Sequence, residues 1–241
     1  MSEFKKEDYY VDIVNKSEIR EWILKKHYAH RMPSTMFSYG LFDKDKTLQG
    51  VCILGMPPCH FNYGAGIFDD YKVDTYELTR LVINDNMPRN SLSFFVSKVL
   101  NIYLPSPSCI VSFADPNNNH HGYIYQATNW LYTGVSQKGG KDKQWIFNER
   151  EYHAKTITVE WMKKTFPKYD DSKNMTANWI ANGGEIEENP LCKFRYLYFI
   201  GNKKEKKEMR EHLTLSILPY PKGENKRYDA SYTPDIQERL F

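Results

Sequence analysis

The segments Glu77-Leu-Thr-Arg-Leu81, Arg89-Asn-Ser-Leu-Ser-Phe-Phe95, Ser112-Phe-Ala-Asp115 and Asn117-Asn-Asn-His-His-Gly122 decide how this chain folds. They contain two strand-like apolar runs that each end in a polar or charged residue. Each run is followed by a helix-like segment that opens with hydrogen-bonding side chains; the second continues as Tyr123-Ile-Tyr-Gln-Ala-Thr-Asn-Trp130. In an open α/β sheet, ligands collect beyond the carboxyl ends of strands, where helix N-termini point at them. Any chemistry is therefore expected within residues 77–134.

Outward from this stretch, the pattern of apolar periods and turn residues predicts further elements. A strand is expected over 9–15, followed by a helix that Ser17 and Glu18 open and that runs to about Lys26. Residues 37–43 and 48–55 read as a hairpin, 56–66 as a loop and 75–83 as a strand. Asn90 or Ser91 caps a helix to about Tyr103, which Pro105 and Pro107 stop. The apolar run 109–114 is the kind of strand buried on both faces of a sheet. A helix over about 120–129 and a strand over 130–134 follow. The resulting order, β-α-β-β-β-α-β-α-β, gives an α/β (α+β) fold with a mixed central sheet flanked by helices. A core over 1–155 and a C-terminal extension over 156–241 are expected. Within the extension, 170–189 is polar, 194–200 is a strand and 203–213 a charged helix. Residues 137–143 read as an exposed loop, and the tail after Pro219 as irregular.

Composition narrows the class. The chain has 241 residues, 41% of them hydrophobic, which is enough for a sizeable core. Four scattered cysteines without a Cys-x-x-Cys pair read as reduced thiols. No apolar run reaches the roughly 20 residues of a membrane span, and the charged N-terminus has no apolar signal core. A cytoplasmic protein that makes no membrane contact is expected. The net charge of +3 does not by itself single out nucleic acid. Residues 193–210, however, carry seven cations against two carboxylates, more than the net charge of the whole chain. Lys193, Arg195, Lys203, Lys204 and Lys207 are therefore candidates for contacts to a DNA backbone, the alternative being a solvated helix face.

The order of elements matches the GNAT acyltransferase fold, and Tyr125–Gly134 is similar to the segment that closes such folds. More specifically, the chain resembles the Mom family, phage-encoded proteins that modify adenine in DNA. The resemblance rests on His27-Tyr-Ala-His-Arg-Met-Pro33, the hairpin, Glu77–Leu81, Asn90–Phe94, Ser112–Asp115, His121-Gly-Tyr-Ile-Tyr-Gln126, Lys193–Ile200 and Leu218-Pro-Tyr-Pro-Lys222. It implies a GNAT-like transferase with acetyl-CoA or a related acyl donor, an iron ion, double-stranded DNA as partner, and carbamoylmethylation of adenine N6 that shields phage DNA from restriction. An ordinary N-acetyltransferase and a non-catalytic DNA-binding protein of the same fold are the alternatives. The chain departs from GNAT proteins where their Gly-rich pyrophosphate loop belongs: Asn86-Met-Pro-Arg-Asn90 has no glycine.

Individual residues then acquire expected roles. Asp115 ends a buried strand, where a carboxylate polarises an amine, ligates a metal or caps the next helix. Tyr125 either protonates a leaving thiolate or packs on the sheet. Arg80, in a central strand, binds a phosphate or carboxyl oxygen or bridges to Asp115 or Glu77. Arg80, Arg89, Asn90, Ser91 and Ser93 form the candidate donor site at a helix N-terminus, with Ser93 as catalytic or capping residue. His27, Asp115 and His121 are the candidate metal ligands, His120 being the other choice for the third. Tyr28 is expected to stack on the adenine.

Overall fold

A computed structural model describes residues 4–102, 104–136, 143–152, 156–188 and 191–223. Strand β1 (Tyr9–Ile13) leads into helix α1 (Lys16–Glu21), which widens into a π turn over Trp22–Lys26. The Glu18 carboxylate accepts from the Asn15 backbone N–H at 2.5 Å, so the reciprocal capping box starts at Asn15 rather than Ser17. The hairpin β2 (Phe37–Asp43) and β3 (Leu48–Gly55) has the expected bounds. After a short 3-10 segment come β4 (Asp74–Ile83), α2 (Ser91–Ile102), β5 (Ser108–Ala114), α3 (Tyr123–Ala127) and β6 (Leu131–Val135). Helix α3 begins three residues later than expected because Asp115 caps a separate 3-10 turn, Pro116–Asn118, whose end at Asn119 is left-handed.

Among the described residues, the main sheet has seven strands in the order β1-β2-β3-β4-β5-β10-β6, β10 being Phe194–Ile200. Every pair is antiparallel except β4 with β5. Mixed topology with helices on both faces is the class expected from the element order. The strand that the sequence placed in an extension, β10 (Phe194–Ile200), lies between β5 and β6. Its Tyr196 and Leu197 are fully buried, one on each face. This strand is therefore part of the core, and no boundary falls at 155/156. The chain forms two compact units instead: residues up to Ser136 together with those from Lys193 onward, and the inserted Gln137–Cys192.

The central strand β5 explains the layering. Ile110 and Ala114 face the cluster that α2 and α3 cover, through Phe95, Val96, Val99 and Tyr125. Cys109 and Val111 face the opposite cluster, which Phe61, Phe68 and Met209 of α6 (Lys203–Glu211) close. On that second face, α1 and its π turn cover the β1–β3 half through Ile19, Trp22 and Ile23. A strand buried on both faces needs a continuous apolar run, and β5 supplies one. Among the described residues, no helix is long and apolar enough to cross a membrane.

The inserted unit has its own core. Strands β7 (Lys143–Phe147), β8 (Arg150–Tyr152) and β9 (Glu185–Glu188) form a sheet in the order β8-β7-β9. Helices α4 (Val159–Thr165) and α5 (Met175–Ala181) accompany it, and Trp145, Ile157, Met162, Phe166 and Trp179 are buried together. Residues 170–188 of the stretch that is polar in sequence are thus built around two buried residues, Asn178 and Trp179. Asn178 Oδ1 accepts from Asp170 N–H at 2.8 Å, and its amide donates to the carbonyls of Asp170 and Lys173 at 2.9 and 3.1 Å. One side chain ties the loop to the helix. Of the exposed loop expected at 137–143, Lys143 begins β7, while 137–142 and the tail beyond Gly223 lie outside the described residues.

Removing that amide leaves part-buried carbonyls and an N–H without their protein partner, each costing up to about 1–3 kcal/mol. Asn178→Ala is expected to destabilise the inserted unit by at least about 2 kcal/mol. Tryptophan fluorescence during denaturant unfolding reads this as an earlier transition; an unchanged midpoint contradicts it.

Candidate functional site

The site begins where a sheet stops pairing. Strands β4 and β5 are parallel partners from Asp74 with Ser108 to Glu77 with Val111. Beyond that register, β4 continues to Ile83 and β5 to Ala114 without pairing each other. Each keeps its other neighbour: Cys52 still faces Leu81, and Phe194 faces Ala114. The sheet therefore opens between its two halves. A cavity of about 460 Å³ occupies the opening, within the range of small-molecule sites. Its walls come from β4 past Glu77, from the end of β5, from the first turn of α2, from α3 and from the His27–Tyr28 segment.

Two local devices stabilise the opening. A bulge at Thr79 shifts the register between Leu78 opposite Leu54 and Arg80 opposite Ile53. It turns Leu78 into the core and Arg80 to the other face, where Arg80 Nη2 donates to Arg31 O at 3.1 Å. The second device is Ser112, whose Oγ lies 2.9 Å from Leu78 O and 2.7 Å from the Tyr125 hydroxyl. Leu78 is the first residue past the ladder, and its carbonyl only accepts. Ser112 carries one proton for two neighbours. When it donates to Leu78, the Tyr125 O–H points back at Ser112; when it donates to Tyr125, the phenolic proton is free to turn into the cavity. Burial pushes the Tyr125 pKa far up, so the phenol stays protonated through the physiological range.

Asp115 directly follows β5 and is buried. Its Oδ1 accepts from the Asn117 N–H at 3.0 Å and from the Asn117 side-chain amide at 2.9 Å. The capping role is thus real, yet it uses one oxygen. Among the described residues Oδ2 has no hydrogen-bond partner, and Asp115 lines the cavity. Arg80 makes no ion pair among the described residues: Nη1 donates to Thr79 O at 2.6 Å, Nη2 to Arg31 O, and buried Nε meets no partner. Neither expected bridge, to Asp115 or to Glu77, forms. Burial lowers the Arg80 pKa, with Arg31 adding to the effect, while Tyr28 and Glu77 oppose it. A guanidinium held by two carbonyls keeps an unneutralised charge that suits an anionic group.

The imidazoles are arranged differently from the expected metal set. His27 stacks on Tyr28 with ring centroids 4.4 Å apart, and His120 lies 5.5 Å from Tyr28. His27 Nδ1 accepts from the Ala29 N–H at 3.1 Å, which puts the proton of the neutral ring on Nε2 and leaves no free lone pair for a metal. Burial, then Arg80, His120 and His30, hold the His27 pKa well below its ordinary value. His120 is lowered too, mainly by burial, with Asp115 opposing. His121 turns away: its ring lies 5.8 Å from Phe194, and it lines a second hollow rather than the cavity. Among the described residues, no group of three or more His, Cys, Asp or Glu side chains is gathered to hold a metal. The trio His27, Asp115 and His121 does not converge and does not fit iron. Tyr28 has one ring face covered by His27; burial first and Asp115 next raise its pKa.

At the α2 N-terminus, Arg89, Asn90 and Ser93 line the cavity. Asn90 adopts a left-handed φ of 77° that aims the first turn, and Ser93 Oγ donates to Asn90 O at 3.0 Å. Ser91 is different: it is fully buried, donates to Pro88 O at 2.8 Å and does not line the cavity. It shapes the turn and is not a donor ligand.

The candidate DNA cations separate into two places. Lys193 is close enough to Tyr28 to oppose the rise in its pKa that burial and Asp115 cause. Arg195 donates through Nε to Thr133 Oγ1 at 3.0 Å and through Nη2 to Thr133 O at 2.8 Å, which commits it to strand β6. Lys203, Lys204 and Lys207 follow the far end of β10, opposite Ser108. Seven strand residues, about 20 Å, separate that end from the cavity. Lys204 and Lys207 also pair with Glu208 and Glu211 along α6. Sequence reasoning missed Ser112 as partner of Tyr125, and it missed buried Lys26, which lines the cavity 2.8 Å from Asp85. The signal for Lys26 was its place beside His27, three positions after Ile23 on the buried helix face.

A family model described as the Mom protein family matches residues 8–222. A protein named methylcarbamoylase mom, from Escherichia phage Mu, is 29% identical over 210 residues, which cover 84% of this chain and 79% of that protein.

The histidines set a pH dependence. An imidazole whose folded pKa is lowered below 6.5 adds stability that is complete above that value and is lost as pH falls. Denaturant midpoints are expected to drop between about pH 7 and about pH 5, less steeply in His27→Gln. A parallel pH profile in the variant contradicts the assignment. Ser112→Ala strips the partner from Leu78 O and is expected to cost about 1–3 kcal/mol, read in the same unfolding experiment.

Proposed function

The chain belongs to the Mom protein family, and on that footing we propose that it is a GNAT-like transferase of phage DNA modification. It adds a carbamoylmethyl-type group to adenine N6 and so protects the DNA from host restriction. The name of the phage Mu relative, a methylcarbamoylase, supports the type of group. The observation that carries the reading is the cavity between β4 and β5, lined by both Asp115, whose Oδ2 has no hydrogen-bond partner among the described residues, and the protonated Tyr125.

The chemistry of adenine makes that pair meaningful. The N6 lone pair is delocalised into the ring, so the amine is a weak nucleophile. Asp115 Oδ2 accepts an N6–H and polarises the amine. Tyr125 holds a proton that Ser112 either retains or releases towards the cavity, which suits a general acid beside a leaving group. Because His27 and His120 are neutral, they add hydrogen-bonding edges without repelling Arg80. A base in a duplex cannot reach such a recess, so the adenine is extruded or presented single-stranded. Tyr28 lines that recess and is the aromatic ring the extruded base would meet.

Arg80, Arg89 and the first turn of α2, with Asn90 and Ser93, would hold the anionic portion of an acyl donor such as acetyl-CoA. Acetyl transfer from such a donor would leave an N6 amide and a free thiol, so a carbamoylmethyl product requires a donor that would deliver a CH2–CONH2 unit and whose leaving group would take the proton that Tyr125 holds. Since the proposed metal ligands do not converge, no step here is assigned to iron.

Expression in a bacterium, followed by mass measurement of hydrolysed nucleosides, tests the reading. A heavier deoxyadenosine is expected with the parental protein. Asp115→Asn is expected to lower its yield on the order of a hundredfold or more, the lower end of general acid–base effects. Tyr125→Phe should lower it in the same direction. Unmodified adenine alongside folded protein contradicts the reading, and donor turnover that ignores DNA would point to a small-amine acetyltransferase.

A further inference from the structure

Beside the cavity lies a second hollow of about 350 Å³, lined by His121, Tyr123, Gln126, Tyr220 and Lys222 among others. Tyr123 lines both spaces. It is the first residue of α3, and 64% of its surface is exposed, whereas Tyr125 in the same helix is buried. Gly122 places it there: φ is +76°, and a Cβ at this position would run into the Tyr196 ring. Among the described residues, the Tyr123 ring has no aromatic or hydrogen-bonding partner. A large aromatic held out at the rim of a recess, with nothing stacked on it, is a platform for a planar ligand.

The opposite wall is anchored. Leu218 N–H donates to Tyr132 O at 2.9 Å, the Tyr220 hydroxyl to Trp130 O at 2.7 Å, and Gln126 Nε2 to Pro221 O at 3.3 Å. These bonds fix the segment that carries Lys222 over the end of α3. Among the described residues, Lys222 makes no ion pair and no carboxylate lines the hollow. The space thus offers, among the described residues, one aromatic face and the cation of Lys222, and it adjoins the cavity through a shared residue.

We propose that this hollow receives the DNA nucleotide next to the adenine under modification, with its base on Tyr123 and its phosphate against Lys222. The assignment rests on the DNA-modification reading above. It also places backbone contact at the mouth of the cavity, where the lysines of α6 do not begin. As the target adenine leaves its stack, the neighbouring base loses a partner, and Tyr123 supplies one.

The test uses the full chain and a short, adenine-rich DNA labelled with fluorescein, as duplex and as single strand. Binding is followed by anisotropy across a salt series, and nucleoside masses are measured in parallel. Tyr123→Ala is expected to weaken binding on the order of tenfold, and Tyr123→Phe, which keeps the ring, to recover most of the loss. Lys222→Gln should reduce the slope of log affinity against log salt by about one. Both positions are exposed at the surface, so unchanged melting of the variants separates lost contact from lost folding. If both variants bind DNA as the parental protein does, the proposal is overturned. If they weaken binding while parental DNA carries no modified adenine, the nucleotide contact stands and the transferase reading falls.

Discussion

The parting of β4 and β5 is the constraint on which the rest of this protein depends. A parallel pair that stopped pairing halfway would leave backbone groups without partners, at a cost that buried structure rarely tolerates. Here the opening is stabilised by side chains. Ser112 reaches Leu78 O, Thr79 Oγ1 donates to Ile53 O at 3.1 Å, and Arg80 bonds the carbonyls of Thr79 and Arg31. Meanwhile β3 and β10 hold the two halves from outside. The opening is consequently a fixed feature of the sheet, with polar groups already directed towards it. The residues that prop it open are also the neighbours of the proposed reactive groups.

That coincidence organises the electrostatics. Among the described residues, one cation, Arg80, lacks a carboxylate partner, and one carboxylate, Asp115, has an oxygen without a hydrogen-bond partner. Burial pushes the groups between them towards neutrality: His27 and His120 downwards, Tyr28 and Tyr125 upwards. Neutral donors and acceptors suit recognition of a neutral base, while the isolated guanidinium suits an anionic portion of a co-substrate. The same low-dielectric surroundings strengthen each contact once water is displaced.

Much of this arrangement was legible in the sequence, and the gaps have identifiable causes. The nine elements up to Val135 follow from local periodicity and turn residues, and β2 and β3 needed no tertiary information. Ser112-Phe-Ala-Asp115 marked the end of a buried strand, so the location of the site was readable as well. The place of β10 was not: Phe194–Ile200 reads as a strand, but nothing local says that it inserts between β5 and β6. That pairing is set by contacts some 80 residues away in sequence, Phe194 with Ala114. The order of the inserted unit was hidden because Asn178 and its polar neighbours are satisfied by one another, which composition cannot show. Likewise, His120 and His121 are equivalent in one dimension. Only the 3-10 turn after Asp115 and the left-handed Asn119 send one towards Tyr28 and the other towards Phe194.

The central claim is that adenine binds in the opening between β4 and β5 with its exocyclic nitrogen at Asp115. A crystal structure of the protein with a short DNA bearing an N6-alkylated adenine tests it most directly. The account predicts the base in the cavity, one face against Tyr28, with N6 within hydrogen-bonding distance of Asp115 Oδ2. A base bound elsewhere, with the opening between Leu78 and Phe113 empty, would contradict it.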